Sequence, residues 1–300
     1  MPLAVSVETR YGKTMPRRIA LLHPGDMGVT VGACASAAGN WIGWAADGRG
    51  ETTRRRAERA AFTSYSSLEK LLAEADTVIS VCPPVAAKAT AKAVAELAFR
   101  GLYVDANAVS PRTAEVIAQT VEHAGATYVD AGIIGPPARE RGTTRLYVSG
   151  EQATEVAACF AGSALEATDI GSSPTAASAL KMCYAAWTKG SAALLLAVGA
   201  LARAERVETP LRAEWERSQP GLNAQLQSNA ATNTAKAWRF VGEMREIADT
   251  FEAAGLSGAF HRGAEQIYAM IGEYKGAGSA PELDEVLQTM LGSRTLEPPP

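Results

Sequence analysis

Arg18-Ile19-Ala20-Leu21-Leu22-His23-Pro24-Gly25-Asp26-Met27-Gly28 is the stretch on which the fold turns: four apolar residues in a row, a Pro-Gly break, then the small and apolar run Gly28 to Ala38 with Gly32 one helical turn on. It reads as a buried strand (Arg18 to His23), a tight turn and a helix (Gly28 to Ala38). Glycines at such a turn let the backbone approach an anion, whose charge is met by free N–H groups and the positive end of the helix. His23 stands where G-x-G-x-x-G has its first glycine, so the dinucleotide fingerprint is incomplete, and a turn that merely packs helix against strand is the alternative. Context favours the dinucleotide, because a strand precedes, a helix follows and the same alternation continues.

Outward from this turn, β-rich runs at Trp41 to Ala46, Asp76 to Cys82, Leu102 to Ala106, Tyr128 to Ile134 and Arg145 to Ser149 alternate with helical stretches. The helices are expected at Glu51 to Ala60, Ser67 to Glu74, Val85 to Phe99, Pro111 to His123 and Gln152 to Phe160. This is the pattern of βαβ units, and it predicts an α/β fold with a doubly wound parallel sheet of Rossmann type over residues 17–173. Past Ser173-Pro174 the β signal disappears. Ala176 to Ala204, Leu211 to Ser218, Ala235 to Ala254 and His261 to Tyr274 read as helices of an all-helical C-terminal domain, residues 174–290, between an N-terminal extension (1–16) and a tail (291–300). The first of these is apolar nearly all round, the mark of a helix buried on several sides or in a subunit interface.

The 300 residues hold 29 Lys+Arg against 32 Asp+Glu, a formal net charge of -3, with no basic stripe. Nucleic acid is therefore not an expected partner. The longest apolar run, around Ala192 to Ala202 between Lys189 and Arg203, falls short of the ~20 residues of a bilayer crossing, so no membrane span is expected. Met1 to Pro16, with Glu8, Arg10 and Lys13, lacks the apolar core of a signal peptide, and a cytoplasmic location is expected. Cys34, Cys82, Cys159 and Cys183 form no CxxC and read as small reduced core residues, while His23, His123 and His261 form no ligand-spaced pair, so no metal is expected.

Cofactor choice is read just after the second strand, in Ala46-Asp47-Gly48-Arg49-Gly50-Glu51-Thr52-Thr53-Arg54. Asp47 suits the ribose 2′-OH of NAD(H), whereas Arg49 and Arg54 offer planar donors for a 2′-phosphate and Thr52 and Thr53 add hydroxyls. NADP(H) is the expected cofactor, with Gly25, Asp26, Met27 and Gly28 at its phosphates; a solvated basic helix face is the other reading of Arg54 to Arg59.

Pro24 to Gly28, Ser80-Val81-Cys82-Pro83-Pro84, Val104-Asp105-Ala106-Asn107-Ala108-Val109-Ser110-Pro111, Tyr128-Val129-Asp130-Ala131-Gly132 and then Lys181, in this order, resemble the β-hydroxyacid dehydrogenase superfamily, which includes 3-hydroxyisobutyrate and 6-phosphogluconate dehydrogenases. The second half, through Lys181 to Tyr184, Thr188-Lys189-Gly190, Glu214-Trp215 and Glu243 to Ala248, resembles the subgroup with a phosphogluconate-dehydrogenase-like C-terminal domain of unknown function. The likeness spans about Arg18 to Tyr274. It implies a homodimer through the helical domain and an active site between domains, with the Cys82-Pro83-Pro84 loop and the Asn107 turn beside the nicotinamide. The plainer alternative is that the prolines stop a strand and Asn107 caps a turn.

The resemblance further implies that the lysine at position 181 gives and takes the proton when hydride transfer removes or makes an alkoxide-like oxygen. An ammonium partly out of water has its pKa lowered toward working pH, which suits it to that work. Tyr184 and Thr188, three and seven residues on, share its helix face and offer hydroxyls to the amine or the substrate. A surface lysine is the alternative, disfavoured by the flanking Ala-Leu and Met-Cys pairs; Lys189 is the fallback acid. Tyr184, Trp187, Trp215, Trp238 and Phe240 either line the pocket or pack the core and interface.

Three departures bear on substrate. The superfamily's Ser-Gly-Gly carboxylate grip falls on Ile134-Gly135-Pro136, its amide one turn after the lysine is Ala185, and its second lysine falls on Gly242 before Glu243. Each lost polar contact to a buried substrate group costs about 1–3 kcal/mol, so a bulkier or less acidic substrate is expected against Ile134, Gly135 and Thr188. An NADP(H)-dependent oxidoreductase acting between an alcohol and its carbonyl compound is the first reading. Ile133 to Pro137 with Leu146 to Gly150 also looks like imine reductases, which makes C=N reduction the second; a nucleotide-binding protein without catalysis is the third.

Overall fold

A computed structural model describes residues 15–275 and 279–292. The expected extension and tail therefore lie almost wholly outside the described residues. By internal packing the chain divides into two units, residues 1–181 and 182–300, and the division falls inside one long helix.

In the first unit, strands β1 (Arg18–Leu22), β2 (Trp41–Ala45), β3 (Thr63–Tyr65), β4 (Thr77–Ser80), β5 (Leu102–Asp105), β6 (Thr127–Ile134), β7 (Thr144–Ser149) and β8 (Leu165–Asp169) alternate with helices α1 (Asp26–Ala37), α2 (Glu51–Arg59), α3 (Leu68–Leu72), α4 (Pro84–Glu96), α5 (Pro111–His123) and α6 (Ala153–Ala158). Among the described residues the strands form one sheet in the order β3-β2-β1-β4-β5-β6-β7-β8. The order reverses beside β1, which opens a crevice at the carboxyl ends of β1 and β4. Apolar cores cover both faces: Ile19, Leu21, Ile79, Val104 and Val129 share one, Ala20, Leu22, Val78, Tyr103 and Tyr128 the other. Pro84 and Pro111 stand in the first turns of α4 and α5, where a missing N–H costs nothing, and Ser110 accepts from the Thr113 amide at 3.2 Å.

The doubly wound parallel sheet is as expected, with one antiparallel pair, β6 and β7, where a return loop joins them. β3 and β8 were not expected. They are the two edge strands, Thr-Ser-Tyr, largely open to solvent, and Leu-Glu-Ala-Thr-Asp, mostly half-buried, and neither has the apolar run that marks an inner strand.

Helix α7 (Ala176–Ala204) crosses the division, and α8 (Glu208–Ser218), α9 (Leu222–Asn233), α10 (Ala237–Ala253), α11 (Ala259–Met270) and α12 (Leu283–Gly292) follow in the second unit. α9 has no apolar face to mark it in the sequence, since it buries only Leu226 and Ala230 among Asn, Gln and Ser, and α12 lies beyond the last expected helix. α7 also corrects the expectation of too short an apolar run: counted with its alanines and glycines it is long and apolar enough to cross a bilayer, although 56% of its most apolar stretch is buried inside the protein. All four cysteines are unpaired, but Cys183 is exposed rather than a core residue, and Cys82 is half-buried.

Candidate active site

The turn after β1 has a separate use for each glycine. A Cβ on Gly28 would lie 2.5 Å from the His23 carbonyl oxygen, and one on Gly32 would lie 2.7 Å from both Leu21 and Phe62, so these two let α1 close on the sheet. A Cβ on Gly25 would meet nothing nearer than 3.9 Å, which leaves an open face above the turn. The first i→i−4 bond of α1 runs from Val29 N to Gly25 O (2.9 Å), so the amides of Asp26, Met27 and Gly28 precede the helix's own ladder. His23 holds φ 64°, the left-handed conformation that glycine adopts freely and that costs another residue about 1 kcal/mol. Burial first, and the Arg49 charge second, hold its imidazole down to about 4, and its buried Nδ1 has no partner. Asp26 pairs with Arg139 at 2.9 Å in the open, while half-buried Met27 packs against the core.

After β2, Arg54 donates to Ala46 O (2.6 Å) and Arg49 O (3.0 Å), so its guanidinium braces the loop. Arg49 is half-buried, its buried Nε lacks a hydrogen-bond partner, and its charge acts on His23 and Cys82. Burial pulls its pKa below the usual arginine range. A guanidinium with an orphaned N–H, next to free amides and an open glycine face, fits a dinucleotide phosphate. Asp47 and Thr52 are exposed and Thr53 half-buried.

At the ends of β4 and β5, Asn107 is almost fully buried and fully used. Its Oδ1 accepts from Cys82 N (2.6 Å), and its Nδ2 donates to Ser80 Oγ (3.0 Å) and to Asp105. Asn107 thus shapes the Cys82-Pro83-Pro84 loop, with half-buried Pro83 capping α4 and Pro84 starting it. Burial pushes the Cys82 thiol up to about 11, which leaves it neutral and unfit as a nucleophile.

The end of β6 carries the reactive amine. Lys181 Nζ donates to Ile133 O at 2.7 Å, and burial lowers its pKa from 10.5 to about 8. β1, β4, β5 and β6 run parallel, so this amine and the glycine turn share the carboxyl edge of the sheet. Gly132 lets α7 come this close, since a Cβ there would lie 2.8 Å from Ala177 O and 3.2 Å from Lys181 Cβ. Ile134 is buried in β6, and Gly135 turns the chain at φ 125° with Thr143 O where its Cβ would be. Thr144 and Thr30 then hold the loop, through Pro136 O (2.6 Å) and Ala138 N (3.0 Å). Sequence reasoning passed over Asp130 and Ser178 as functional residues, although Asp130 lay within a quoted motif.

In the second unit Tyr184 is exposed and Thr188 donates to the Tyr184 carbonyl (3.1 Å), which turns that hydroxyl back on its own helix. Lys189 is ion-paired with buried Glu243 and lies 4.6 Å over the Phe240 ring, a structural use of the fallback acid. Trp215 and Phe240 are buried, whereas Trp187 and Trp238 are exposed.

Comparison with known proteins agrees with the dinucleotide-type fold. Residues 18–166 match the NAD binding domain of 6-phosphogluconate dehydrogenase, and residues 202–271 match a domain of unknown function, DUF1932. An uncharacterised 28.5 kDa protein of Methanothermus fervidus is 33% identical over 156 residues, 52% of this chain and 59% of that one, so the match spans little more than half of the relative. A conserved protein of unknown function, described as structurally similar to 3-hydroxyacid dehydrogenases, superposes with a TM-score of 0.63 at 25% identity over 85% of this chain and 97% of its own. Mycobacterium tuberculosis 3-hydroxyisobutyrate dehydrogenase with L-serine (TM-score 0.65, 18% identity, 92% and 99% covered) shares the fold. So does Aspergillus terreus reductive aminase with NADPH4, cyclohexanone and allyl amine (TM-score 0.54, 15% identity, 91% and 99% covered).

Proposed function

Because this chain joins a 6-phosphogluconate-dehydrogenase-type NAD binding domain to a DUF1932 domain and so belongs to the β-hydroxyacid dehydrogenase superfamily, we propose that it is an NADP(H)-dependent oxidoreductase interconverting an alcohol and its carbonyl compound, with Lys181 as proton donor and acceptor. The observation that carries this reading is the half-buried Lys181 amine, lowered to about 8 at the carboxyl edge of a dinucleotide-type sheet. A bound nicotinamide dinucleotide supplies or takes up the hydride. Gly25 to Gly28 and Arg49 would hold its phosphates, and Arg49 supports a preference for NADP(H) over NAD(H). The Lys181 amine keeps a proton at neutral pH and lies close enough to its pKa to give it to a substrate oxygen or take it back. The Ile133 carbonyl uses one of its three N–H groups, which leaves two for substrate.

The substrate we infer is hydroxyacid-like but bulkier or less acidic. Buried Ile134 and Gly135, at a φ that glycine adopts freely, align with the superfamily's hydroxyl-bearing carboxylate grip, and buried Ala185 aligns with its amide. The same apolar loop supports imine reduction as a second reading. NADPH and NADH consumption measured side by side on alcohols, carbonyl compounds and cyclic imines separates them. Turnover of carbonyl compounds and alcohols with NADP(H) supports the first reading, imines alone the second, and stoichiometric NADPH binding without consumption leaves a nucleotide-binding protein.

The partner we propose is a second copy of the chain. Tyr184, Trp187, Leu194 and Leu201 are exposed at spacings of three and seven along α7, an apolar seam at the period that pairs one helix with another. Replacing Trp187 and Leu194 with Glu is expected to shift the sedimentation coefficient from dimer to monomer; an unchanged value rejects this seam.

A further inference from the structure

We propose that Asp130 is the positioning residue for the Lys181 amine: its buried carboxylate ties the first turn of α7 to β6, and together with the Lys181–Ile133 bond it fixes where the amine stands. The inference rests on the proton-transfer role given to Lys181 above, and adds to it what holds that group in place.

Asp130 is wholly buried, and both of its oxygens are taken. Oδ2 accepts from Ser178 N (2.7 Å) and from Ser149 Oγ (3.4 Å), while Oδ1 accepts from Ser178 Oγ (2.6 Å). Ser149 Oγ accepts in turn from Ala177 N at 3.0 Å. Two of the amides that a helix leaves unpaired at its start are thus satisfied from the sheet, directly and through one hydroxyl. A carboxylate at this end also meets the positive end of the helix. Lys181 lies three residues beyond Ser178, nearly one turn, and Ile133 lies three residues beyond Asp130, so strand and helix grip each other at two successive points. Gly132, between them, admits the close approach.

Asp130 is wholly buried with both oxygens held by α7 and β7, so it does not reach a substrate and acts through Lys181. Burial raises its pKa to about 6, while the bonds from Ser178 and Ser149 pull it down. The titratable groups around it are Tyr128 of its own strand and Asp105, its register partner on β5. When Asp130 is protonated, one oxygen becomes a donor facing donors, and the grip on α7 weakens.

The test labels Lys181 with acetic anhydride across pH, reads acetylation by mass spectrometry of the full chain, and follows NADPH oxidation in parallel. The wild-type midpoint is expected near 8. In Asp130→Asn it should rise by about one pH unit or more toward the ordinary lysine value, as the amine leaves its buried seat. Turnover should fall about 10- to 100-fold with KM and NADPH Kd nearly unchanged. The wild-type acid limb near pH 6 should also disappear in that variant, which carries no titrating group there. Ser178→Ala, which keeps the backbone bond, should move the midpoint in the same direction by less and shift the acid limb upward. A midpoint that stays at 8 in folded Ser178→Ala and Asp130→Asn overturns the proposal. Because labelling needs no substrate, failure of the oxidoreductase reading would show separately, as moved midpoints in protein that consumes no NADPH.

Discussion

Lys181→Met is expected to lower kcat by about 10²- to 10⁴-fold, the range that one positioned acid–base group supplies, while NADPH affinity stays nearly the same. Methionine keeps the length and apolar stem but cannot carry a proton, and the residues that fit the cofactor phosphates, Gly25 to Gly28 and Arg49, are untouched. The pH profile should follow from the amine's pKa of about 8. Reduction needs the charged, protonated amine and should decline as pH rises through 8; oxidation needs the neutral amine and should increase over the same interval. In Lys181→Met both limbs near 8 should vanish. Steady-state kinetics in both directions, with fluorescence titration of NADPH, checks this. Unchanged turnover would remove the lysine from the chemistry, and lost NADPH binding would make its role structural.

The second large effect is expected at the glycine turn, where two substitutions should separate folding from binding. Gly28→Ala places a Cβ 2.5 Å from the His23 carbonyl oxygen, a backbone atom that cannot swing aside. Strain of this kind costs about 1–3 kcal/mol, and the displaced helix start no longer presents its amides, so thermal stability and NADPH binding should fall together. Gly25→Ala has room, with its nearest neighbour 3.9 Å away, and its backbone lies at φ -70°, which any residue adopts. Stability should stay near wild type while the new methyl group occupies the face left for the phosphates, so NADPH affinity should drop at least about tenfold. Equal NADPH affinity in Gly25→Ala and wild type would mean that the cofactor does not cross this turn.

Much of the first unit was legible in the sequence because its signals are local. The apolar run of β1, the Pro-Gly break and the small residues of α1 describe a strand–turn–helix without reference to the rest of the chain, and Pro84, Pro111 and Ser110 mark helix starts by their own chemistry. What was not legible depends on distant partners. The direction of β7 is set by which edge of the sheet the returning chain meets, and β3 and β8 carry too little buried surface to announce themselves.

The same division runs through the candidate site. Arg49 and Arg54 read alike in sequence, yet Arg54 is spent on two carbonyls of its own loop and Arg49 keeps an unpartnered N–H, because only the folded loop decides which guanidinium finds acceptors. Asn107 read as a cofactor contact, and the fold makes it the brace of the Cys82 loop.

The sequence by itself determined the inner strands and the helices between them in the nucleotide-binding half, the glycine turn and the presence of a lysine at the start of the long helix, since each follows from residue type and short-range spacing. Only the tertiary structure decided that this amine is drawn out of water beside Ile133 and that Asp130 anchors its helix. Desolvation and hydrogen-bond partnership are properties of atoms brought together from positions about 50 residues apart, and no spacing along the chain encodes them.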